Sequence, residues 1–466
     1  MKSKKVNILI LVLVMSMLLS LTACGGKETP DTPATDNTPN QTQNEAGNDA
    51  GNDATNEGGE AKEESKETVT LTFMGWEASP LETQAVKDGI AKFEDQYPHI
   101  KVDYTPGLSG AEYTAKLLAS HAGGSMPDVC FVQSGDYRAF ASKGVIEEIT
   151  DRFDSEYSLD DFLPSVRELM TIDGKVYGTQ SCIVTPVLYY NKDLFDAAGV
   201  EYPGTEPMQW EEFREKAIAL TNEEEGIFGA YGAESTNMVL GALLASNGAT
   251  YFNEDYTKST INTPEAKEVF LKVRSLRYDD KAAVDATTLE NIGISANQML
   301  QTGKVAMVLD GSWALQELAS MNFNIGLAPI PYFKESANLA QAHLHSISTS
   351  SKYKDEAWEF LKFLSGMDYQ GELVAQGLWM PNRKSMYEED VVKQWYSEKI
   401  HGEYINFLDY FINAKVDPVA MQPSNKCSDI LTEETDIFFK DGGDVDAMLQ
   451  NIEKRVNEVI EEELNK

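Results

Sequence analysis

Between Val69 and Val132 the chain repeats one arrangement, and that repetition restricts the fold more than any other feature. Val69-Thr70-Leu71-Thr72-Phe73 alternates apolar and polar residues as a strand does. Ser79-Pro80-Leu81-Glu82 follows, with an N-cap Ser, a Pro at the first helical position and a Glu at the capping-box position. Val86, Ile90, Phe93 and Tyr97 then share one helical face. Ile100 to Tyr104 alternates again, Ser109-Gly110-Ala111-Glu112 reads as a second capping box, and Ala115, Leu118, Ala119 and Ala122 form a second stripe. Val129 to Val132 is a wholly apolar strand. Strand–helix–strand–helix–strand is the pattern of a parallel α/β sheet. The pattern restarts beyond Thr185, with strands at Val187–Tyr190 and Val305–Leu309. Helical stripes fall at Trp210/Phe213/Ala217/Leu220, Val269/Val273/Leu276, Ala357/Phe360/Leu361/Leu364 and Met448/Ile452/Val456/Ile460/Leu464. Two α/β units are therefore expected.

The N-terminus is a different kind of sequence. Lys2, Lys4 and Lys5 precede an apolar run from Val6 to Ala23, and Leu21-Thr22-Ala23-Cys24 closes it. A charged start, an apolar stretch and small residues before a cut describe a secretory signal. The last four residues resemble a bacterial lipobox, which implies cleavage after residue 23 and a diacylglyceryl group on Cys24. Two acyl chains suffice for stable anchoring where one is marginal. Residues 25–67 contain no aromatic residue and no Val, Ile, Leu or Met. Nothing there can offset the entropy of ordering, so 24–67 is expected to be a disordered acidic tether with an rms reach of roughly 40 Å.

Charge and motif content exclude several classes. The formal net charge is −36, opposite to the basic face a nucleic-acid binder needs. Dinucleotide, phosphate-loop, nucleophile-elbow and zincin motifs are absent, and His343-Leu344-His345 is the sole close histidine pair among five histidines. No metal site and no cofactor are expected. Carboxylate pairs of the kind that hydrolyse glycosides remain open, because 75 acids make some pair inevitable. Beyond Cys24 an odd number of cysteines remains, Cys130, Cys182 and Cys427, so at least one thiol is free.

The tryptophans say more. Trp210 and Trp358 lie on helical stripes and read as core. Trp76 follows the first strand, Trp313 follows Val305–Leu309 through Asp310-Gly311-Ser312, and Trp379 sits in Gly377-Leu378-Trp379-Met380-Pro381. Ligands of open α/β sheets bind beyond the carboxyl ends of strands. Indoles there can stack on the C–H face of a sugar ring while polar neighbours take its hydroxyls.

Several stretches in order resemble the extracellular solute-binding proteins of ABC importers, family 1, the carbohydrate type that includes maltose-binding protein. They are Pro127-Asp128-Val129 with Gly144 to Ile149, and Asp173 to Gly178 followed by Leu188-Tyr189-Tyr190-Asn191-Lys192-Asp193-Leu194-Phe195. Gly303-Lys304-Val305-Ala306-Met307 with Gly311-Ser312-Trp313, Ala328 to Pro331, and Ala357-Trp358-Glu359-Phe360-Leu361 continue the order. Two departures stand out. Gln209 replaces the usual Thr cap before Trp210, which would displace that helix start toward Thr205. The aromatic often found after Pro-Asp-Val is missing at Val132 and Gln133.

The resemblance implies a two-lobed fold, each lobe a mostly parallel sheet with flanking helices, joined by hinge strands. Lobe one would be 68–185 with 330–350, and lobe two 186–329 with 351–466. The crossings would lie near Thr185, Ala328–Pro331 and Ser348–Ser351. By position, the ligand-binding candidates are Trp76, Glu77, Gln133, Asp136, Gln180, Ser235, Asn237, Asp310, Trp313 and Trp379. The implied protein is a monomeric, lipid-anchored, non-enzymatic receptor on the outer face of the membrane, passing a sugar or oligosaccharide to the permease subunits of an importer. The rivals are an extracellular glycoside hydrolase and a binding protein for a non-sugar ligand.

Overall fold

The computed structural model describes residues 67–465 apart from 77–78, 108–110, 237, 285–287, 289, 290 and 292. Residues 1–66, with the signal, Cys24 and all but the last residue of the tether, lie outside the described residues, as do Glu77, Asn237 and Ser109-Gly110 of the second capping box.

Two sheets carry the chain. The first comprises β1 (Val69–Met74), β2 (Ile100–Thr105) and β3 (Val129–Val132), then, beyond a small hairpin of β4 (Thr171–Ile172) and β5 (Lys175–Val176), β6 (Thr179–Gln180). The second comprises β7 (Pro186–Asn191), β8 (Phe228–Tyr231), β9 (Val305–Gly311) and β10 (Ile325–Ala328). β11 (Leu339–Ala340) pairs with β13 (Lys415–Val416), and β12 (Leu344–Ile347) returns to the first sheet. The orders are β2-β1-β3-β12-β6 and β10-β7-β9-β8.

The lobes are α/β, but the sheets are mixed. β1–β2, β1–β3 and β8–β9 run parallel, as helical crossovers require. Every antiparallel pairing in the two sheets involves β7 or β12. Each of these two strands enters its sheet directly from the other lobe, without a crossover helix.

Most local signals hold. Ser79 Oγ accepts from the Glu82 N–H at 3.1 Å and Thr263 Oγ1 from the Ala266 N–H at 3.1 Å. Asn191 caps the helix Lys192–Ala198, which ends on Gly199 at φ 66°. The helix Trp210–Leu220 starts at Trp210 after all, without a side-chain cap. The Trp210 N–H instead donates to the Tyr332 carbonyl at 2.7 Å, so a tertiary contact does the work of the missing Thr. Trp210, Trp358 and Trp395 are all buried, and Trp395 Nε1 donates to the Met386 carbonyl at 2.9 Å. Cys130, Cys182 and Cys427 are all free and buried, and burial pushes the Cys130 thiol up to about 12.

Two boundaries are corrected. The second crossing is at Gln341, not at Ala328–Pro331: the Tyr332 N–H donates to the Met208 carbonyl at 3.0 Å and Phe333 stacks on Trp210 (centroids 4.9 Å, 13°), so the segment after Pro331 still packs in the second lobe. The helix Lys354–Leu364 does not join the second sheet. It packs on β1, β6 and β12, with Phe360 against Phe73 and Phe93. The following helix Met367–Ala375 lies on Pro80–Gln96, where Gln96 Nε2 donates to Asp368 at 2.7 Å. The third crossing is therefore at Met380, not at Ser348–Ser351. There Ile183 and Met380 exchange backbone hydrogen bonds of 2.9 and 3.0 Å. Val184 and Gln341 do the same at 2.9 and 3.0 Å, so the three crossing segments lie side by side. A stripe shows that a helix is amphipathic but not which sheet its apolar face meets. Beyond Met380 the chain stays with the second lobe: the helices Asn425–Asp441 and Val445–Leu464 pack with Val269 and Phe270, and Trp395, Tyr404 and Phe411 pack with Val187, Tyr189 and Val308.

Candidate functional site

The carboxyl ends of β1, β3 and β9 open on one cavity of about 520 Å³ at the three crossings. Trp76, Phe131, Trp313, His343 and Trp379 form its aromatic lining, and Gln133, Ser134 and Gln341 are polar neighbours. Gln133, Ser134 and Gln341 also border a second compartment of about 240 Å³, which extends between the lobes toward Thr236, Tyr251 and Gln422.

Trp76 is held by lobe-one aromatics. Its ring stacks on Phe131 (centroids 5.4 Å, 25°) and meets Tyr113 edge-on (5.3 Å, 86°). Phe131 supplies the aromatic missing at Val132 and Gln133, one residue earlier, because β3 turns that side chain toward the cavity. His343 follows from the crossing, 5.0 Å from Phe131 and 4.6 Å from Trp379. Burial pushes its imidazole down to about 4, so it is neutral near pH 7. Beneath it His345 bonds Ser181 Oγ at 3.0 Å and is likewise pushed down, to about 3.

Trp313 comes from lobe two. A Cβ on Gly311 would lie 2.2 Å from its ring, so the indole can fold over the strand end only because residue 311 has no side chain. Ser312 fastens the turn to the first crossing: its N–H donates to the Thr185 carbonyl at 2.8 Å and its Oγ accepts from the Thr185 N–H at 3.3 Å. Asp310 accepts from the Gly311 N–H at 2.7 Å and from Trp313. Among the described residues Asp310 does not line the cavity; it braces the residue that does.

The other candidates separate. Asp136, in the first turn of the helix Ser134–Ser142, bonds Thr114 Oγ1 at 2.5 Å and lies behind the lining. Gln180 is fully buried in the lobe-one core, its Nε2 donating to the Val166 carbonyl at 3.0 Å. Ser235 is not among the lining residues; its neighbour Thr236 is. Sequence reasoning did not single out Phe131, Gln341 or His343 for the cavity, nor Glu82, which borders it one turn into the capped helix. The His343-Leu344-His345 alternation was the visible signal for one of them, His343.

Burial pushes the Asp310 carboxyl up to about 6, with Glu317 adding to the effect and the Gly311 and Trp313 bonds opposing it. A carboxyl raised above its unfolded value near 3.9 binds its proton more tightly in the fold. Its contribution is therefore full below about pH 4 and is lost as pH rises through about 6. Asp310→Asn keeps an acceptor for the Gly311 N–H without the charge. It should stabilise the fold at pH 7.5 by about 1–3 kcal/mol, and the gain should vanish at pH 4. Thermal unfolding at both pH values checks this; an equal gain at the two would contradict it.

A two-lobed α/β molecule with an aromatic cavity at its interlobe crossings is a ligand-binding protein in its architecture. The chain belongs to the bacterial extracellular solute-binding proteins, whose family profile matches residues 78–371. A binding protein of Brucella abortus strain 2308 is 25% identical over 357 residues, 74% of this chain and 82% of that one. A maltooligosaccharide ABC transporter solute-binding lipoprotein of Streptococcus pneumoniae R6 is 26% identical over 60% of this chain and 65% of its own length. A mannitol-binding protein of Pseudomonas aeruginosa is 28% identical over 55% and 61%. Among solved structures, a substrate-binding protein of Listeria monocytogenes in complex with cycloalternan superposes with TM-score 0.75 at 24% identity, covering 85% of this chain and all of that one. Maltose-bound MalE3 of T. maritima gives 0.70 at 23%, covering 84% and 100%. These likenesses carry the fold.

Proposed function

We propose that this chain is the lipid-anchored receptor of an ABC importer and that it captures a sugar in the interlobe cavity for delivery to the permease. The observation that carries this is the convergence of Trp76, Phe131, Trp313 and Trp379 with Gln133 and Gln341 on one cavity. Aromatic faces pair with the C–H faces of a pyranose, and amides pair with its hydroxyls. The relatives named for maltooligosaccharide and mannitol favour the same class of ligand. Glycoside hydrolysis calls for two carboxylates flanking the scissile bond. Glu82 is the one carboxylate among the described residues lining this cavity, which favours a receptor over the hydrolase. Titrating the protein with a panel of sugars, following tryptophan fluorescence and then chromatography of the sugar, tests both readings. Saturable binding with intact sugar supports the receptor; released product from any bound glycan would overturn it.

The anchoring proposal rests on Leu21-Thr22-Ala23-Cys24. No helix among the described residues is long and apolar enough to cross a membrane. Cys24→Ala should shift the protein from the membrane fraction to the medium, or leave the signal uncleaved. Cell fractionation with immunoblotting reads both; a cleaved mutant that stays on the membrane would refute lipidation at this residue.

A further inference from the structure

Resting on the receptor reading, we infer that Asp417 is a positioning residue for the cavity: it turns the side-chain amide of Gln341 so that the carbonyl oxygen, not the NH2 group, is offered to the ligand, and the site therefore requires an O–H or N–H donor on the ligand at that point.

Gln341 lines both compartments and is held at both ends. Its backbone exchanges hydrogen bonds with Val184 at the crossing, and its Nε2 donates to Asp417 Oδ2 at 2.7 Å. The chemistry of that partner settles which end of the amide meets it. An ionised carboxylate only accepts, so Nε2 must face it, and Oε1 is left for the cavity wall. Gln341 is half-buried, and among the described residues no donor reaches its Oε1. Unlike Gln422 Oε1, this oxygen is not sealed.

Asp417 is itself fixed. It is fully buried just after β13, and its N–H donates to the Ala340 carbonyl at 3.0 Å. Its Oδ1 accepts from the Val419 N–H at 3.0 Å. A backbone N–H can only donate, so Oδ1 is committed to it and Oδ2 alone answers to Gln341.

The arrangement has two states. Burial pushes the Asp417 carboxyl up to about 6, against the bonds from Gln341 and Val419. Protonated on Oδ2, the carboxyl becomes a donor to Gln341. The amide then turns over to accept, and its NH2 group meets the ligand. The oxygen is thus presented above about pH 6 and withdrawn below it.

No charged neighbour takes over this role. Tyr251 and Tyr256 feel the Asp417 charge, but burial raises both phenols, so they stay neutral from pH 5 to 8. The helix Val239–Ser246, which passes Asp417 at Gly241, carries no titratable residue. Pro164–Met170, packed on β13, carries Arg167, paired with Asp160 at 2.5 Å, and Glu168, which acts on Tyr256. Ser134–Ser142, packed on Pro418–Met421, carries Asp136, bonded to Thr114, the buried phenol Tyr137, and Arg138, paired with Asp173 at 3.4 Å. His343, two residues from Gln341, is held down to about 4. None of these groups contributes to the Asp417 shift.

The test uses the mature protein and isothermal titration with glucose, mannose, xylose and the corresponding trisaccharides, then deoxyfluoro analogues of the sugar that binds best. Fluorine replaces a hydroxyl without being able to donate. Asp417→Asn keeps the shape of the side chain. Its Oδ1 still accepts from Val419, so its Nδ2 donates to Gln341 and turns the amide over. The variant should bind about tenfold more weakly than the parent at pH 7.5, and its unfolding temperature should be no lower. At pH 5, where Asp417 of the parent is protonated, the two should bind within about twofold of each other. A merely structural role, or the titration of Asp310, would not move that ratio. One deoxyfluoro replacement should cost the parent about tenfold at pH 7.5 and Asp417→Asn less than about threefold. If Asp417→Asn does not fold, the same replacement is compared in the parent at pH 7.5 and pH 5, where its cost should shrink likewise. A variant-to-parent ratio that is the same at both pH values, or a fluorine penalty independent of residue 417 and of pH, overturns the inference and leaves the receptor standing. If the parent binds none of these sugars, the sugar-receptor reading falls. The positioning is then decided by the Gln341 side-chain amide signals in 15N–1H spectra, assigned by their loss in Gln341→Leu. They should titrate with a midpoint near 6 in the parent and stay still in Asp417→Asn; signals that do not titrate in the parent overturn it.

Discussion

Trp313→Ala should weaken sugar binding by at least ~2 kcal/mol, roughly 30-fold in Kd, with the fold largely kept. The reason is how the residue is mounted. Its ring lies over Gly311, its turn is tied to Thr185 through Ser312, and Asp310 accepts a hydrogen bond from it. The indole is thus held in position before ligand arrives, and little side-chain entropy is lost on binding. It also comes from lobe two, whereas Trp76 and Phe131 come from lobe one. A ligand that touches both faces binds one relative lobe position better than others and shifts the population toward it. Removing the indole therefore removes a contact and also part of that bias. Calorimetric titration with the sugar that the parent binds gives the affinity, and thermal unfolding gives the folded fraction. Binding within twofold of the parent, or a loss fully explained by unfolding, would refute the role.

The parts of this site that were legible in the sequence depend on chain-local geometry. Trp76 and Trp313 stand just past strands, one alternating and one wholly apolar, and strand ends are where open α/β sheets place ligands. Gln133 follows β3 in the same way. What was not legible depends on which way a side chain faces. Gln180 and Asp136 share the same neighbourhoods by chain position, yet one points into the lobe-one core and the other braces Thr114. Phe131 sits inside a strand of four buried residues, where alternation gives no clue to the face that meets the cavity. Gln341 and His343 lie on the second crossing, which runs further along the chain than Ala328–Pro331 because the segment up to β11 still packs on the second lobe. The helix stripes, caps and buried tryptophans were readable because each is settled within one or two turns of chain. The partner of each stripe was not, and Lys354–Leu364 is the case where that mattered.

That helix provides the second large effect. Trp358 is buried against Phe153 (centroids 5.3 Å, 73°) and Tyr157 (5.3 Å, 88°). Trp358→Ala would leave a cavity that these rings, fixed by Phe162 on their other side, can only partly fill. The expected cost is ~3–5 kcal/mol of stability, with little change in affinity for the molecules still folded, since Trp358 does not line the cavity. Its location in the first lobe makes the prediction sharper. Lys354–Leu364 packs on β1, β6 and β12, so the loosening should stay on that side of the crossings. Hydrogen exchange followed by mass spectrometry should show faster exchange in Val69–Met74 and Leu344–Ile347, and near-parent exchange in Val445–Leu464. Protection lost first in Val445–Leu464 would return this helix to the second lobe, and would move the third crossing back to Ser348–Ser351.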